Sequence, residues 1–210
     1  MSLLTYDGQA WTGPTAITGP NSAIGGTALA ELDGYVYLAY LSGSAASPAI
    51  SLERYDPAAG AWLSLGAAPT TQKPGDPSLA VWGDYLCLGY VDSQRIYTQL
   101  YSPDASTGGW TEPPEQVSGQ SASAISISTF EDNLILLFRG TDSTTKLNGM
   151  WNKGTGWAGK QTFESVSTAP GVAFYRDIDN PTAPQDALWI CYGWPGNYSG
   201  LFRRLLTSSG

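Results

Sequence analysis

The sequence predicts an all-β protein that is built from a fourfold repeat of short antiparallel strands. Three observations support this fold class. The 210 residues include 25 Gly and 14 Pro, enough turn-forming residues to separate many short strands. No segment of helical length has apolar residues at the i, i+3, i+4, i+7 spacing of an amphipathic helix. A tryptophan that follows a turn containing Gly or Asp recurs four times along the chain.

The recurring tryptophans are Trp11, Trp62, Trp110 and Trp157, and their separations are 51, 48 and 47 residues. Between them, a small-apolar strand, a tight turn and a strongly apolar strand recur, as TALAELDGYVYLAY, PSLAVWGDYLCLGY and SISTFEDNLILLF. In all three copies, the aromatic residue that ends the second strand comes 11 positions after an apolar residue of the first strand. These pairs are Leu29 and Tyr40, Leu79 and Tyr90, and Ile127 and Phe138.

A fourth copy begins near Val172 and ends at Trp194, and it carries a longer polar turn at residues 176–186. Each copy contains strand A, a hairpin turn, strand B, a polar loop, strand C, a turn and then strand D, which begins at the tryptophan. Four antiparallel strands at this period are typical of one blade of a β-propeller. We therefore predict one four-bladed β-propeller domain over residues 1–210, with blades at about 25–70, 71–118, 119–165 and 166–210 plus 9–20.

The two ends of the chain suggest how the ring closes. The N-terminal strand WTGPTAITG would become the outer strand of the last blade and remove its open edge. Segments 3–8 and 201–206 both have the character of strand C of that blade, and the sequence leaves open which of them fills it. The surplus strand is compatible with a contact between subunits, so a homo-oligomer remains an open alternative.

The composition excludes several classes of chemistry. Because the chain has no His, it has no Ser-His-Asp or Cys-His catalysis, and its two Cys cannot complete a zinc site. Neither phosphate-loop motif occurs. The net charge of -8 argues against nucleic acid as a partner, and the lack of an 18-residue apolar run argues against membrane insertion. We expect no cofactor and no metal.

The cysteines and the N-terminus bear on the compartment. Residues 1–7 lack the cationic and long apolar regions of a signal peptide, so we expect a cytoplasmic protein or one released without a signal peptide. Cys87 and Cys191 lie in apolar strand-like runs, which predicts two buried free thiols. Together with Tyr37 and Ile135 they occupy equivalent positions of strand B, which we expect in the core.

The loops after strand B and before strand A emerge on one face of a propeller, and we expect a ligand to bind on this face or between adjacent blades, because loops on a rigid scaffold usually carry function. Ordinary solvated loop residues are the alternative for each position. The expected aromatic platforms for a ligand are Tyr40, Tyr90, Trp194 and Tyr198. The expected hydrogen-bonding residues are Asp76, Asp92, Arg139, Asp142 and Asn197.

The repeat resembles those of fungal and bacterial β-propeller lectins, and the turns YDGQAW and SPDASTGGW look like degenerate Asp-box turns of sialidase-like propellers. The four-bladed hemopexin-like fold is the nearest precedent for this number of blades. The precedent extends to the architecture alone, because haem binding in that fold uses His, which this chain lacks. The resemblance implies a non-enzymatic, multivalent protein that binds glycans or glycoconjugates. A scaffold for protein–protein interaction and a carboxylate-dependent glycosidase are the alternatives.

Overall fold

The computed structural model describes residues 2–6, 8–16, 22–104, 108–111, 113–142, 145–167, 169–176, 186–194 and 198–204. Within these ranges every regular element is a β-strand, which confirms the predicted all-β class. The same part of the chain holds no helix with the length and apolarity needed to cross a membrane.

The first repeat is a four-stranded antiparallel sheet in chain order. Its strands are β3 (Ala23–Leu32), β4 (Tyr35–Ser44), β5 (Ser47–Asp56) and β6 (Ala61–Ala67). The turn between β3 and β4 consists of Asp33 and Gly34, whose φ angles are 54° and 78°. Positive φ at both central residues matches the twist of a tight hairpin, which is why an Asp-Gly pair suits this turn.

The second and third repeats share one long strand. Their strands are β7 (Ser78–Trp82), β8 (Tyr85–Asp92), β9 (Arg95–Ser102), β10 (Gly109–Trp110), β11 (Glu115–Phe130), β12 (Asn133–Gly140), β13 (Lys146–Asn152) and β14 (Trp157–Ser165). The first part of β11 pairs with β9, where Glu115 is opposite Thr98, and its second part pairs with β12, where Ile127 is opposite Leu136. β11 is thus the outermost strand of the second repeat and the innermost strand of the third.

The chain ends form two smaller sheets. The last repeat contains β15 (Gly171–Arg176), β16 (Asp186–Trp194) and β17 (Tyr198–Arg204) in that order, so β17 takes the place of strand C. At the N-terminus, β1 (Ser2–Tyr6) pairs with β2 (Trp11–Ala16). This hairpin matches the C–D hairpin of the other repeats, since Tyr6 is opposite Trp11 as Tyr55 is opposite Trp62.

The predicted closure of the ring by the N-terminal strand is not found among the described strands. β2 pairs with β1, and the described pairings place no N-terminal strand beside β17. β2 uses one of its two edges for β1, so this pairing does not by itself exclude a further contact with the last repeat. The number of blades in a closed ring therefore remains a prediction.

The repeats pack through their innermost strands, which contact one another in the series β3, β7, β11 and β15. Leu79 of β7 packs in one core cluster with Tyr37 and Ile50 of the first repeat. Ile127 of β11 packs in a second cluster with Cys87 and Ile96 of the second repeat. Each joint between repeats is thus an apolar layer formed from the faces of two neighbouring sheets.

Hydrogen bonds cross the same joints. Each links residues about one repeat apart, so each fixes how far one sheet is rotated on the next. They run from the Gly26 amide to Asp76 Oδ1 (2.7 Å), from the Ile127 amide to Ser78 Oγ (2.8 Å) and from Trp82 Nε1 to the Asp132 carbonyl (2.8 Å).

The four recurring tryptophans do not share one environment. Trp62 and Trp110 pack on the tyrosine of the preceding strand, with ring centroids 5.2 and 5.0 Å apart. Trp157 packs against the second core cluster. Trp11 is 69% exposed, so the position that packs on neighbouring residues in the other repeats does not do so to the same extent in the N-terminal hairpin.

The equivalent positions of strand B are buried in three repeats but not in the fourth. Tyr37, Cys87 and Ile135 lie in the core as expected. Cys191 is exposed, which corrects the prediction of two buried thiols. Because side chains alternate along a strand, Ile190 and Tyr192 point toward the third repeat and Cys191 points away from it.

The apolar joints predict unequal costs for two similar substitutions. Leu79→Ala removes a side chain that is 7% exposed at the first joint, and we expect it to lower the free energy of unfolding by about 2–5 kcal/mol. Leu63→Ala, at a position 50% exposed, should change it by less than about 0.5 kcal/mol. Urea unfolding followed by tryptophan fluorescence measures both, and equal effects would contradict this assignment of the core.

Candidate functional site

The structure places two of the expected aromatic platforms inside the core. Tyr40 is 1% exposed and its hydroxyl donates to Glu53 Oε1 at 2.7 Å. Tyr90 is fully buried, stacks on Tyr97 with centroids 5.5 Å apart, and accepts a hydrogen bond from the Thr71 amide. Neither ring has a face free for a ligand, because each lies in a stretch of strand B that is buried on both faces of the sheet. The expectation that they are platforms is therefore wrong.

Two of the expected hydrogen-bonding residues instead hold the backbone in place. Asp76 accepts from the Gly26 amide across the first joint. Asp92 is 8% exposed and accepts from the Lys73 amide and the Ser93 hydroxyl. Burial by itself raises the pKa of Asp92, but polar contacts from Thr71, Lys73 and Ser93 outweigh burial and lower it.

The remaining expected residues are not brought together with these. Arg139 donates from Nε to the Val166 carbonyl at 3.2 Å. Asp142 lies in the next loop, where its carbonyl accepts from the Thr145 amide. Trp194 and Tyr198 are backbone partners at the β16–β17 hairpin, and Asn197 lies outside the described residues.

A different cleft opens at the joint between the first and second repeats, on the opposite face from the predicted one. It lies beside the A–B and C–D turns and has a volume of about 310 Å³. We name it the first inter-repeat cleft. It is lined by Asp33, Tyr35, Tyr37, Arg54, Asp84, Tyr85, Ser102, Pro103 and Asp104.

The hairpin turns place the aromatic residues of this cleft. Tyr35 and Tyr85 are the first residues of β4 and β8, directly after the Asp33-Gly34 and Gly83-Asp84 turns. They therefore occupy equivalent positions of two neighbouring repeats. Tyr85 is 42% exposed, so part of its ring is open to solvent. The carboxylates of both turns lie beside these rings and provide hydrogen-bond acceptors.

Arg54 is the central polar residue of the first inter-repeat cleft. It lies on β5 opposite Tyr37, and its Cζ is 4.5 Å from the centroid of the Tyr35 ring. Burial raises the pKa of Tyr37, while the hydrogen bond and the positive charge of Arg54 act in the opposite direction. Arg54 Nε is buried and has no hydrogen-bond partner. A buried donor of this kind costs about 1–3 kcal/mol until an acceptor reaches it.

The second joint has a cleft with different chemistry. This second inter-repeat cleft has a volume of about 260 Å³ and is lined by Trp82, Cys87, Thr98, Gln99, Leu100, Thr111, Pro113, Glu115, Leu134, Asn152 and Trp157. Leu100 and Cys87 are opposite one another there, just as Arg54 and Tyr37 are in the first repeat. The guanidinium is thus replaced by an apolar side chain, and the two clefts are not equivalent sites.

Sequence reasoning missed the first inter-repeat cleft, although the sequence carries a signal for it. Arg54 of ISLERY occupies a position that holds Leu100 in the second repeat and Trp151 in the third, by their pairing with strand B. A charged residue at a repeat position that is otherwise apolar is unusual, because burying a charge is costly unless it has a function or a partner. In addition, the described residues contain no cluster of three or more acidic or thiol ligands for a metal ion.

Comparison with known proteins gives matches among solved structures alone. No family model matches the chain, and no curated protein matches it. Aleuria aurantia lectin, solved with Fucα1-6GlcNAc, matches all of this chain over 68% of its own length, at 11% identity and a TM-score of 0.66. AofleA from Arthrobotrys oligospora matches 85% of this chain over 56% of its own, at 17% identity and a TM-score of 0.55. An exo-β-1,3-galactanase from Phanerochaete chrysosporium matches 87% over 47%, at 11% identity and a TM-score of 0.63.

At these identities the likeness shows the fold alone. A further structure of the Aleuria lectin is described as a six-bladed β-propeller, and it matches the whole of this chain with a TM-score of 0.57. The chain therefore has a fold of the β-propeller class, as its repeats predict. It spans about two thirds of the Aleuria lectin and about half of the galactanase.

The contact between Tyr40 and Glu53 predicts a pH-dependent stability. Burial and the neighbouring Glu53 raise the pKa of Tyr40 from 10.0 to about 12. A raised tyrosine pKa contributes stability that is present below pH 10 and is lost as the pH rises toward 12. Tyr40→Phe should cost about 1–3 kcal/mol of unfolding free energy at neutral pH, because Glu53 loses its donor. It should also flatten the loss of stability in the alkaline range.

Urea unfolding at neutral pH and across the alkaline range tests this contact, with Tyr85→Phe at the exposed ring as the control. A Tyr40→Phe variant as stable as the wild type at neutral pH, or with the same alkaline loss of stability, would show that the contact contributes nothing.

Proposed function

We propose that this protein is a non-enzymatic carbohydrate-binding protein and that a sugar binds in the first inter-repeat cleft. The observation that carries the proposal is Arg54, whose buried Nε has no partner and whose guanidinium is held against the Tyr35 ring. A guanidinium fixed in this way offers its remaining donors to a ligand at little cost in side-chain entropy.

The surrounding residues suit a sugar. Sugars present an apolar face of C–H groups and a rim of hydroxyl groups, and the exposed part of the Tyr85 ring provides a surface for the apolar face. Hydroxyl groups can both donate and accept, so they pair with the guanidinium of Arg54 and with the carboxylates of Asp33 and Asp84. A volume of about 310 Å³ is in the range of small-ligand sites.

The comparisons support fucosylated glycans as the first ligands to test. The Aleuria lectin structures are described with Fucα1-6GlcNAc and with α-methyl-L-fucoside. Because the likeness to them is in the fold, the identity of the sugar that this chain binds is part of the proposal.

Multivalence through a four-bladed ring also remains a proposal. The first and second clefts differ in chemistry, so we expect unequal sites rather than four copies of one site. Trp194, Asn197 and Tyr198 remain candidates for a further sugar contact in the last repeat, and Asp142 for one in the third.

A glycosidase is the second candidate function, because the galactanase shares the fold and because Asp33 and Asp84 line the same cleft. Two carboxylates are the minimum set for glycoside hydrolysis. Release of the aryl group from aryl fucosides or galactosides, abolished by Asp33→Asn or Asp84→Asn, would replace the binding proposal with this one.

Substitution of Arg54 tests the proposed sugar site. Arg54→Leu introduces the residue that the second repeat has at this position, so we expect it to fold. It should weaken sugar binding by roughly 10- to 100-fold, the cost of one or two hydrogen bonds to a charged group. Isothermal titration calorimetry with L-fucose, galactose and N-acetylglucosamine at millimolar concentration measures this.

Arg95→Leu is the matched control, because it removes the same charge outside the cleft. Arg95 is the first residue of β9, whereas the cleft is lined by Ser102 at the other end of that strand. Equal affinities of the Arg54 and Arg95 variants would contradict the assignment of the site. No binding of any sugar by the wild type, together with capture of a defined protein partner, would favour the protein–protein scaffold.

A further inference from the structure

We propose that the second inter-repeat cleft binds a small quaternary ammonium ion, held by two tryptophans and one carboxylate. This cleft lies at the joint between the second and third repeats, whereas the proposed sugar site lies at the joint between the first and second. The proposal is therefore independent of sugar binding. Three properties of the lining support it: its aromatic rings, its charge, and the hydrogen bonds that its other polar groups already make.

Two tryptophans from different repeats line the cleft. Trp82 is the last residue of β7 and Trp157 is the first residue of β14, and both are partly buried against the second core cluster. Each indole N–H already has a protein acceptor, which is the Asp132 carbonyl for Trp82 and the Thr98 hydroxyl for Trp157. What the two rings still offer a ligand is aromatic carbon surface. Among aromatic side chains, indole attracts cations most strongly.

The charge of the lining is negative. Glu115 lies on β11 opposite Thr98, on the same side of the sheet. Burial raises the pKa of the Cys87 thiol to about 12, and the negative charge of Glu115 acts in the same direction, so the field of this carboxylate reaches the buried part of the cleft. The described residues that line the cleft include no Lys or Arg. A cation would therefore meet an attractive charge there and no repulsive one.

The uncharged polar side chains of the lining are already occupied by protein donors. Three side-chain oxygens accept such hydrogen bonds: Asn152 Oδ1 from the Gly154 and Gly156 amides, the Thr111 hydroxyl from the Leu100 amide, and the Thr98 hydroxyl from Trp157 Nε1. The Thr111 hydroxyl also donates to the Leu100 carbonyl. A sugar needs several free donors and acceptors for its hydroxyl groups, and a primary amine needs up to three acceptors. A quaternary ammonium group has no N–H to satisfy, so it suits this lining better than either.

The size and the apolar residues of the cleft point to the same class of ligand. Leu100 of β9 and Leu134 of β12 line it together with the two tryptophans, and they match the methyl groups of such a cation. The volume of about 260 Å³ lies below the range of drug-sized ligand sites, about 300–1,000 Å³, so the ligand should be small. Choline, which carries a trimethylammonium group, is a suitable probe.

Titration of the full chain with choline tests the proposal. The matched ligand is the neutral alcohol in which carbon replaces the nitrogen of choline, because it has the same shape without the charge. At millimolar concentration, choline should shift the indole N–H signals of Trp82 and Trp157 in two-dimensional NMR spectra and bind roughly tenfold more tightly than the alcohol. Equal affinities, or unchanged signals of these two indoles, would overturn the proposal. Binding of choline in the first inter-repeat cleft would leave both signals unchanged.

Two variants test whether the named residues hold the cation. Leu100→Arg introduces the residue type that the first repeat has at this position, so we expect it to fold, and its like charge should weaken choline binding by roughly tenfold or more. Glu115→Gln, at an exposed position, should weaken choline binding by roughly three- to tenfold and leave the neutral alcohol unaffected. Melting curves check the folding of both variants.

Glu31→Gln is the matched control for the loss of a carboxylate. Glu31 is exposed and lies outside the cleft, and glutamine keeps a side-chain oxygen for the Gly34 amide that Glu31 accepts from. This variant should bind choline as the wild type does. Wild-type affinity for choline in both Leu100→Arg and Glu115→Gln would overturn the proposal. A sugar that shifts the two indole signals, with no effect of choline, would also overturn it.

Discussion

The packing of each sheet on the next is the constraint on which this molecule depends. A single repeat has two apolar faces and cannot bury both by itself, so a neighbouring sheet must cover each face. Leu79 and Ile127 meet this need at the first and second joints, and hydrogen bonds such as that from the Ile127 amide to Ser78 Oγ fix the rotation between sheets. The apolar contacts recur at equivalent positions of these two joints, whereas the hydrogen bonds that cross them differ.

The chemistry of the protein arises at these joints. Two twisted sheets that touch through their inner strands diverge toward their outer strands, which leaves clefts between them. In the first cleft, one position of strand C is Arg54, whereas the second repeat has Leu100. A common scaffold thus supports two clefts of different chemistry, and the replacement of Arg54 by Leu100 at a repeated position is one of the differences between them. The opposite face uses its polar residues, Asp76 and Asp92 among them, to fasten loops to strand ends.

The fold class and the repeat could be predicted from the sequence, because strand alternation, turn residues and the spacing of the tryptophans are local properties of the chain. It also identified the core positions of strand B in the first three repeats. It could not determine the site, because Tyr35, Arg54 and Tyr85 come from two repeats and meet through the packing of separate sheets.

The burial of Tyr40 and Tyr90, the exposure of Trp11 and Cys191, and the pairing of the N-terminal strands follow from the three-dimensional packing and could not be predicted from the repeat. The burial or exposure of each of these side chains depends on whether another part of the chain covers it. A repeat pattern assigns equal environments to equivalent residues, but Cys191 is exposed whereas Tyr37, Cys87 and Ile135 at the same position are buried. Position in the series therefore decides burial, and burial decides which polar and apolar groups remain available for binding.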